Sequence, residues 1–455
     1  VEIFIPLYLR ALLYPIDHEL PIHPARGFPL VKIRLDEHSF RSRIYTTCLP
    51  DANVKVHLVD SDTYEYFTSR SALVSPYAFN DNFDRFAYFC KVVSKVCALR
   101  PDVPDIVHAH DWPTGFVPMF MSTEYGATRI ASVFTIHNLG FSNALSPEKF
   151  YKVTRLRDAE HPGLYDWRGR GILHHGQVDM LKAGIVRADM VNTVSPTYAR
   201  EILDPAYGGD YADTLRYVAE RGQLRGILNG VDPMWRPTLP PDDFLPRKAE
   251  WKRELQGMFA LPEEPGVFLV AMTSRLARQK GYQLLPDAMR RLSSQGVRLQ
   301  LVASVDGDAD LREALLSCAS PTVDVRHRPY NEDLTRSFVY PGADALLMPS
   351  LYEPCGLSQI IAQLNGTPPV VFATGGLKDT VDDGHTGFVF QDHTGEALAR
   401  AVERAQGLFY GDPAAWDAMR RRVMELDRSW RRPAEDYVGL YLEAIERAHS
   451  DRRFA

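Results

Sequence analysis

ADALLMPSLYEPCGLSQIIAQLNGTPPVVFATGGLKDTV, residues 343–381, sets two short apolar runs, ADALLMPS and PPVVFAT, on either side of a helical stretch, LSQIIAQL. Gly366 stands where that helix needs a residue able to turn left-handed at its end. Strand, helix and strand at this spacing form a crossover unit with parallel strands. The unusual residues collect past the strand ends: Glu353 and Cys355 after the first, Gly375-Gly376 after the second.

The same alternation runs along the chain. DIVHAH (105–110), SVFTIH (132–137), MVNTV (190–194), RGILNG (225–230), VFLVAMTS (267–274), RLQLVAS (298–304) and VDVRHR (323–328) are further strand candidates between amphipathic stretches, and VEIFIPLY at the start reads as a core strand. Parallel sheets covered by helices on both faces are expected. Leaving VEIFIPLY aside, the nine strands from DIVHAH to PPVVFAT exceed one ordinary sheet, and the Pro-rich stretch DPMWRPTLPPDDFLPRK (232–248) breaks the alternation. The expected fold is therefore α/β, with two doubly wound Rossmann-like domains at 1–226 and 227–430 facing a central cleft. A C-terminal helix within 431–455 would return to the first domain through Val438, Tyr441, Leu442 and Ile445.

Composition narrows the function class. The chain has 455 residues, 45% of them apolar, and a net charge of −6, so two or three domains are affordable and no general nucleic-acid or anionic-membrane surface is expected. Five cysteines without a C-x-x-C pair suit reduced thiols in cytosol, or in plastid stroma for a plant or algal source, better than disulfides or a structural zinc. Glu2 and Arg10 interrupt the apolar opening, which argues against a signal peptide or a span. A start at Val1 rather than Met reads as a fragment or a processed product.

In doubly wound sheets ligands bind beyond the carboxyl ends of the strands. There stand Asp111, His137, Asn138 and Asn229 in the first half of the motifs, and Arg275, Lys280, Tyr330, Glu353 and Gly375-Gly376 in the second. Arg275 and Lys280, five apart beside a helix start, suit a diphosphate, though two such cations alone are usually surface charges. Glycines allow a backbone to approach a ligand closely, yet a lone pair is usually a plain turn. Glu353 could bind sugar hydroxyls or serve as a helix-start acid; Cys355 could be a nucleophile or a buried filler; His137 could be a core histidine and Asp111 a cap. Asp60-Ser61-Asp62 and Asp306-Gly307-Asp308 match the Asp-x-Asp pattern of metal-dependent sugar transferases, a pattern short enough to arise by chance among 58 acids, and no metal is assigned to them. A G-x-G-x-x-G fingerprint is absent, which weighs against a dinucleotide enzyme.

Taken in order, HAHDWPTG (108–115), FTIHNLG (134–140), LKAGIVRADMVNTVSPTYAREI (181–202), RGILNGVD (225–232), SRLARQKG (274–281), EPCGLSQ (353–359) and GGLKDTV (375–381) resemble the bacterial glycogen synthase and plant starch synthase family. The resemblance implies a GT-B glycosyltransferase without cofactor or catalytic metal. It would move glucose from ADP-glucose, with UDP-glucose the other donor left open, to the nonreducing end of an α-1,4-glucan with retention of configuration. By position, Arg275 and Lys280 would hold the diphosphate, Glu353 would be the essential acid, and His137 would lie beside the sugar. Asp111, Asn138 and Asn229 would be sugar and acceptor contacts, Tyr330 would flank the adenine, and Cys355, Gly356, Leu357, Gly375, Gly376 and Leu377 would line the donor. Two departures stand out: VEIFIPLY aligns with the family's second strand, so that the Lys-x-Gly-Gly-Leu loop after the first is not found, and Pro113 replaces a frequent histidine. The alternative is a catalytically silent glucan-binding or scaffolding relative; a transferase using a small acceptor is disfavoured by Ile361, where the broader group more often has a second Glu.

Overall fold

The computed structural model describes residues 1–8, 21–28, 30–35, 38–49, 52–61, 67, 77, 79–125, 130–166 and 168–450. They form two compact units. The first comprises Val1–Thr193, Ile202–Arg225 and Val438–Ala455, the second Val194–Glu201 and Gly226–Tyr437.

In the first unit β1 (Glu2–Pro6), β2 (His23–Pro24), β3 (Leu30–Leu35), β4 (His38–Cys48) and β5 (Lys55–Ser61) make one sheet. β1 runs parallel to β5, whereas β4 is antiparallel to β5, β3 and β2. This antiparallel module is a correction to the all-parallel expectation. Its strands carry charges at alternate positions, as in the Lys32 and Arg34 of β3, because their outer face meets water. A second sheet contains β6 (Ile106–His110) and β7 (Ala131–Ile136); a small antiparallel sheet is built from β8 (Ala144–Leu145), β9 (Leu173–His174) and β10 (Gln177–Asp179). The second sheet continues through β11 (Met190–Thr193) and β12 (Leu224–Gly226) in the order β12-β11-β7-β6. RGILNG is therefore a strand only to Gly226. Beyond it the chain leaves the sheet, and the N–H of Val231 donates to the carbonyl of Arg428 at 2.8 Å.

β1 and β6 each end a sheet, and between them lies a slot of about 650 Å³ walled by both strands and by Phe89, Val93 and Cys97. β7, paired on both sides, is buried throughout, while Ile106, Val107 and His108 of β6 are only half-buried and His110 is exposed.

The second unit holds six parallel strands, β13 (Phe268–Leu276), β14 (Leu299–Gly307), β15 (Val323–Arg328), β16 (Ala345–Met348), β17 (Pro369–Phe372) and β18 (Phe388–Phe390), in the order β15-β14-β13-β16-β17-β18. Buried aliphatics on both faces of this sheet form two clusters, one containing Val270, Leu301 and Leu347, the other Leu269, Val302 and Leu346. Such two-sided burial is why these strands read as continuous apolar runs. The strand order reverses between β13 and β16, so the ligand crevice of this unit falls at their carboxyl ends.

Helix Arg431–Ser450 buries Leu440, Ala444 and Ala448, while Val438 is 56% and Leu442 59% exposed. The buried face thus departs from the expected Val438, Tyr441, Leu442 and Ile445 stripe at Val438 and Leu442, while Tyr441 and Ile445 are half-buried: Leu440, Ala444 and Ala448 recur at i, i+4 and i+8, and the two alanines let the helix approach closely. From its first-unit portion Tyr441 Oη lies 3.0 Å from His108 Nδ1, and Glu443 accepts from Arg225 at 2.6 Å.

Candidate active site

At the switch point of the second unit the sequence builds two loops that hold each other. Arg275, exposed, is the last residue but one of β13, and a tight turn, Arg278–Lys280, follows. Gly281 closes that turn at φ 78°, and a Cβ there would lie 1.9 Å from the Pro349 carbonyl oxygen. Only glycine permits this approach. Past β16, Leu351 N–H donates to the Gln279 carbonyl (2.8 Å), and the Gln279 amide returns a bond to the Tyr352 carbonyl (3.2 Å). Lys280 and Glu353 consequently meet as an ion pair, Nζ to Oε2 2.7 Å, with both side chains largely buried. Glu353 is not a helix-start acid: the helix begins at Ser358, five residues on.

Gln359 explains the rest of EPCGLSQ. Its amide donates to the carbonyls of Cys355 (3.1 Å) and Gly356 (2.9 Å) and lies 3.0 Å from the Thr380 hydroxyl, locking the loop to the helix Gly375–Thr380. Cys355 is buried, its thiol pKa is pushed up to about 12 by desolvation, and the Asn229 backbone hydrogen-bonds to it. That environment suits the filler reading, since a nucleophile needs thiolate. Leu357 is 44% exposed at the loop tip.

Gly375-Gly376 packs directly on this loop: a Cβ on Gly375 would lie 2.0 Å from the Glu353 carbonyl oxygen, one on Gly376 2.1 Å from that of Cys355. Their N–H groups are engaged, Gly375 with Glu201 Oε2 (2.9 Å), Gly376 with the Glu353 carbonyl (3.0 Å) and Leu377 with that of Thr374 (3.1 Å). A ligand oxygen reaching Gly375 would displace Glu201, a residue that sequence reasoning missed. Burial pushes the Glu201 carboxyl pKa up.

Tyr330, 45% exposed, is placed at the end of β15, where its N–H donates to Asp306 Oδ2 at 3.0 Å. Asp308 accepts from Asp310 and Leu311 N–H groups and caps a helix. The second Asp-x-Asp pair is thus engaged in loop and helix geometry. In the first pair Asp60 is a β5 residue opposite Arg43, and Asp62 lies outside the described residues.

In the first unit β6 and β7 bring their ends together. Asp111 stands at φ 55° and its Oδ1 accepts the His137 N–H at 2.7 Å, with Asn138 N–H a further donor to it. It caps no helix with its side chain. Burial pushes its pKa up, the His137 and Asn138 contacts pull it down, and burial dominates. His137 Nε2 lies 3.1 Å from His110 Nδ1, a neighbour the sequence signalled only through the spacing of HAHD. His137 and Asn138 are half-buried, as ligand-facing groups on a fixed frame would be.

The sequence profile of the starch synthase catalytic domain matches residues 1–217, and that of group 1 glycosyl transferases matches 256–406. A glycogen synthase of Syntrophotalea carbinolica is 36% identical, covering 99% of this chain and 93% of its own. Glycogen synthase 2 of Geobacter sulfurreducens is also 36% identical, covering 98% and 92%. The chain belongs to the glycogen and starch synthase family. Among solved structures, the catalytic domain of Arabidopsis thaliana starch synthase IV, bound to ADP and acarbose, superposes with a TM-score of 0.80 at 24% identity over 98% of this chain and 99% of that one. A sucrose-phosphate synthase of Thermosynechococcus elongatus gives 0.54 at 22% identity, covering 86% and 83%. Both likenesses show the fold, a GT-B pair of Rossmann-like domains. Membership makes this synthase-family chain a glycosyltransferase, and no helix among its described residues is long and apolar enough to cross a membrane.

Proposed function

We propose that the chain transfers glucose from ADP-glucose to the nonreducing end of an α-1,4-glucan, with retention of configuration and without a metal. The observation that supports this best is the Lys280–Glu353 pair at the switch point of the second unit, 2.7 Å apart and shielded from water, with Arg275 at the adjoining strand end. A fixed ammonium there offsets charge on a departing diphosphate, and the carboxylate both orients that ammonium and accepts from a sugar hydroxyl or faces oxocarbenium charge. Glu353 needs no covalent role. The leaving phosphate oxygen is the base for the acceptor hydroxyl, and His137, Asp111, Asn138 and Asn229 contact sugar and acceptor. Tyr330 flanks the adenine; Gly356, Leu357 and the Gly375–Leu377 turn line the donor, and Cys355 supports that lining from beneath. The domains are proposed as 1–226, 227–430 and the terminal helix 431–455.

The alternative reading is a glucan-binding relative that does not transfer. One assay separates the two. The chain is incubated with labelled ADP-glucose or UDP-glucose and glycogen, with and without EDTA, and the new linkage is examined by NMR. EDTA-insensitive α-linked incorporation from ADP-glucose is expected; cosedimentation with glycogen without incorporation sinks the transfer reading.

A further inference from the structure

β9 and β10 form a hairpin whose turn is His175-Gly176, with φ of 48° and 75°. Two left-handed central residues mark the tight hairpin turn that matches strand twist, and histidine is among the non-glycine residues that accept such a place. The turn Gly209–Tyr211 lies against it. His175 Nε2 is 3.0 Å from Asp210 Oδ2, and the His174 ring is stacked on Tyr211 with centroids 4.3 Å apart and planes 7° from parallel. One ring nitrogen from each histidine and one Asp210 oxygen all lie within 4.8 Å of one another. The frame beneath is fixed: Tyr211 Oη donates to Asp179 Oδ2 (3.0 Å), while Asp179 Oδ1 accepts the Lys182 N–H (2.7 Å) at the start of helix Met180–Arg187.

Two imidazoles and one carboxylate with an open solvent side match the ligand preferences of zinc, and are poorly suited to calcium or magnesium, which take oxygen. His175 and Asp210 are exposed, so modest side-chain rotation can draw the three atoms onto a tetrahedral centre. We propose that His174, His175 and Asp210 bind one zinc-type divalent cation, completed by water, which fastens the β9-β10 hairpin to the Gly209–Tyr211 turn. This site shares no residue with the proposed transfer chemistry, and cation binding there is independent of whether the chain transfers glucose.

The test uses the whole chain, without a histidine tag and stripped with EDTA, titrated with zinc chloride by calorimetry and followed by thermal melting. Saturable binding of one equivalent and a raised melting midpoint are expected, with no rise in magnesium or calcium chloride. His175→Ala and Asp210→Asn, both at exposed positions, should each weaken zinc binding about tenfold or more and abolish the rise while leaving the metal-free midpoint unchanged. His174→Gln should do the same to binding. No saturable binding, or unchanged binding in all three variants, overturns the proposal.

Discussion

Lys280 and Glu353 neutralise each other in a pocket where neither could stand alone without cost, because an unpaired charge with so little water contact is disfavoured. A donor diphosphate would replace that partnership by offering the ammonium a second anion. Lys280→Ala should therefore lower turnover by about 10² or more, with the melting midpoint reported beside it; near-normal turnover would remove Lys280 from leaving-group stabilisation. Glu353→Gln keeps the shape and loses the charge. It should lower kcat more than it raises KM if the carboxylate acts on the transition state, and leave kcat intact if it only orients Lys280. Gly376 makes a different prediction. Its missing Cβ leaves room for the Cys355 carbonyl oxygen 2.1 Å from where that atom would sit, so Gly376→Ala should destabilise the second unit by about 1–3 kcal/mol in urea unfolding, whatever ligands do there.

Elements were legible where burial is two-sided. β16 and β17 are unbroken apolar runs, β13 opens on five apolar residues and β14 is interrupted early only by the buried Gln300, and the helix Ser358–Leu364 stops at Asn365 with Gly366 at φ 61°, as its glycine announces. The residues past those strand ends were legible for the same reason, since parallel strands fix which end of the sheet faces a ligand. Glu201 was not: it reaches Gly375 from 174 residues away through one carboxylate contact, a tertiary pairing with no local pattern. The β2–β5 module was missed because charges alternate with its apolar residues, as in Val31-Lys32-Ile33-Arg34, so it offers no continuous apolar run, and the terminal helix was misread at Val438 and Leu442 because large side chains outweighed alanine in the pattern. Its buried face gives a direct check. Ala444 is wholly buried, so Ala444→Leu should cost about 1–3 kcal/mol, whereas Leu442→Ser, at a position 59% exposed, should stay within about 0.5 kcal/mol of the parent. Equal effects in chemical denaturation would restore the Val438/Leu442 face.

At the scale of the whole molecule, acid should act first on the unit that buries neutral histidines. His108 is held between the Tyr441 hydroxyl (3.0 Å) and the Thr135 hydroxyl (2.6 Å), and its ring stacks on His110 at 4.2 Å. Burial, then repulsion from neighbouring histidines, depresses the pKa of His108 to about 2 and of His110 to about 4. An unfolded histidine titrates near ~6.5, so below that pH the unfolded chain binds protons that the folded one refuses, and stability falls as pH drops. The loss begins near the unfolded value and continues through the folded values. His110 is exposed at the end of β6, so solvent screening moderates its share, and Asp111, whose carboxyl pKa burial raises, works in the opposite sense by taking up a proton in the folded state. His108 is therefore the decisive group. Calorimetric melting from pH 7 to pH 5 should show a steeper fall for the parent chain than for His108→Gln, whose amide retains a donor and an acceptor but cannot charge. Parallel curves would mean that the depressed histidine pKa does not govern the acid limit of this unit.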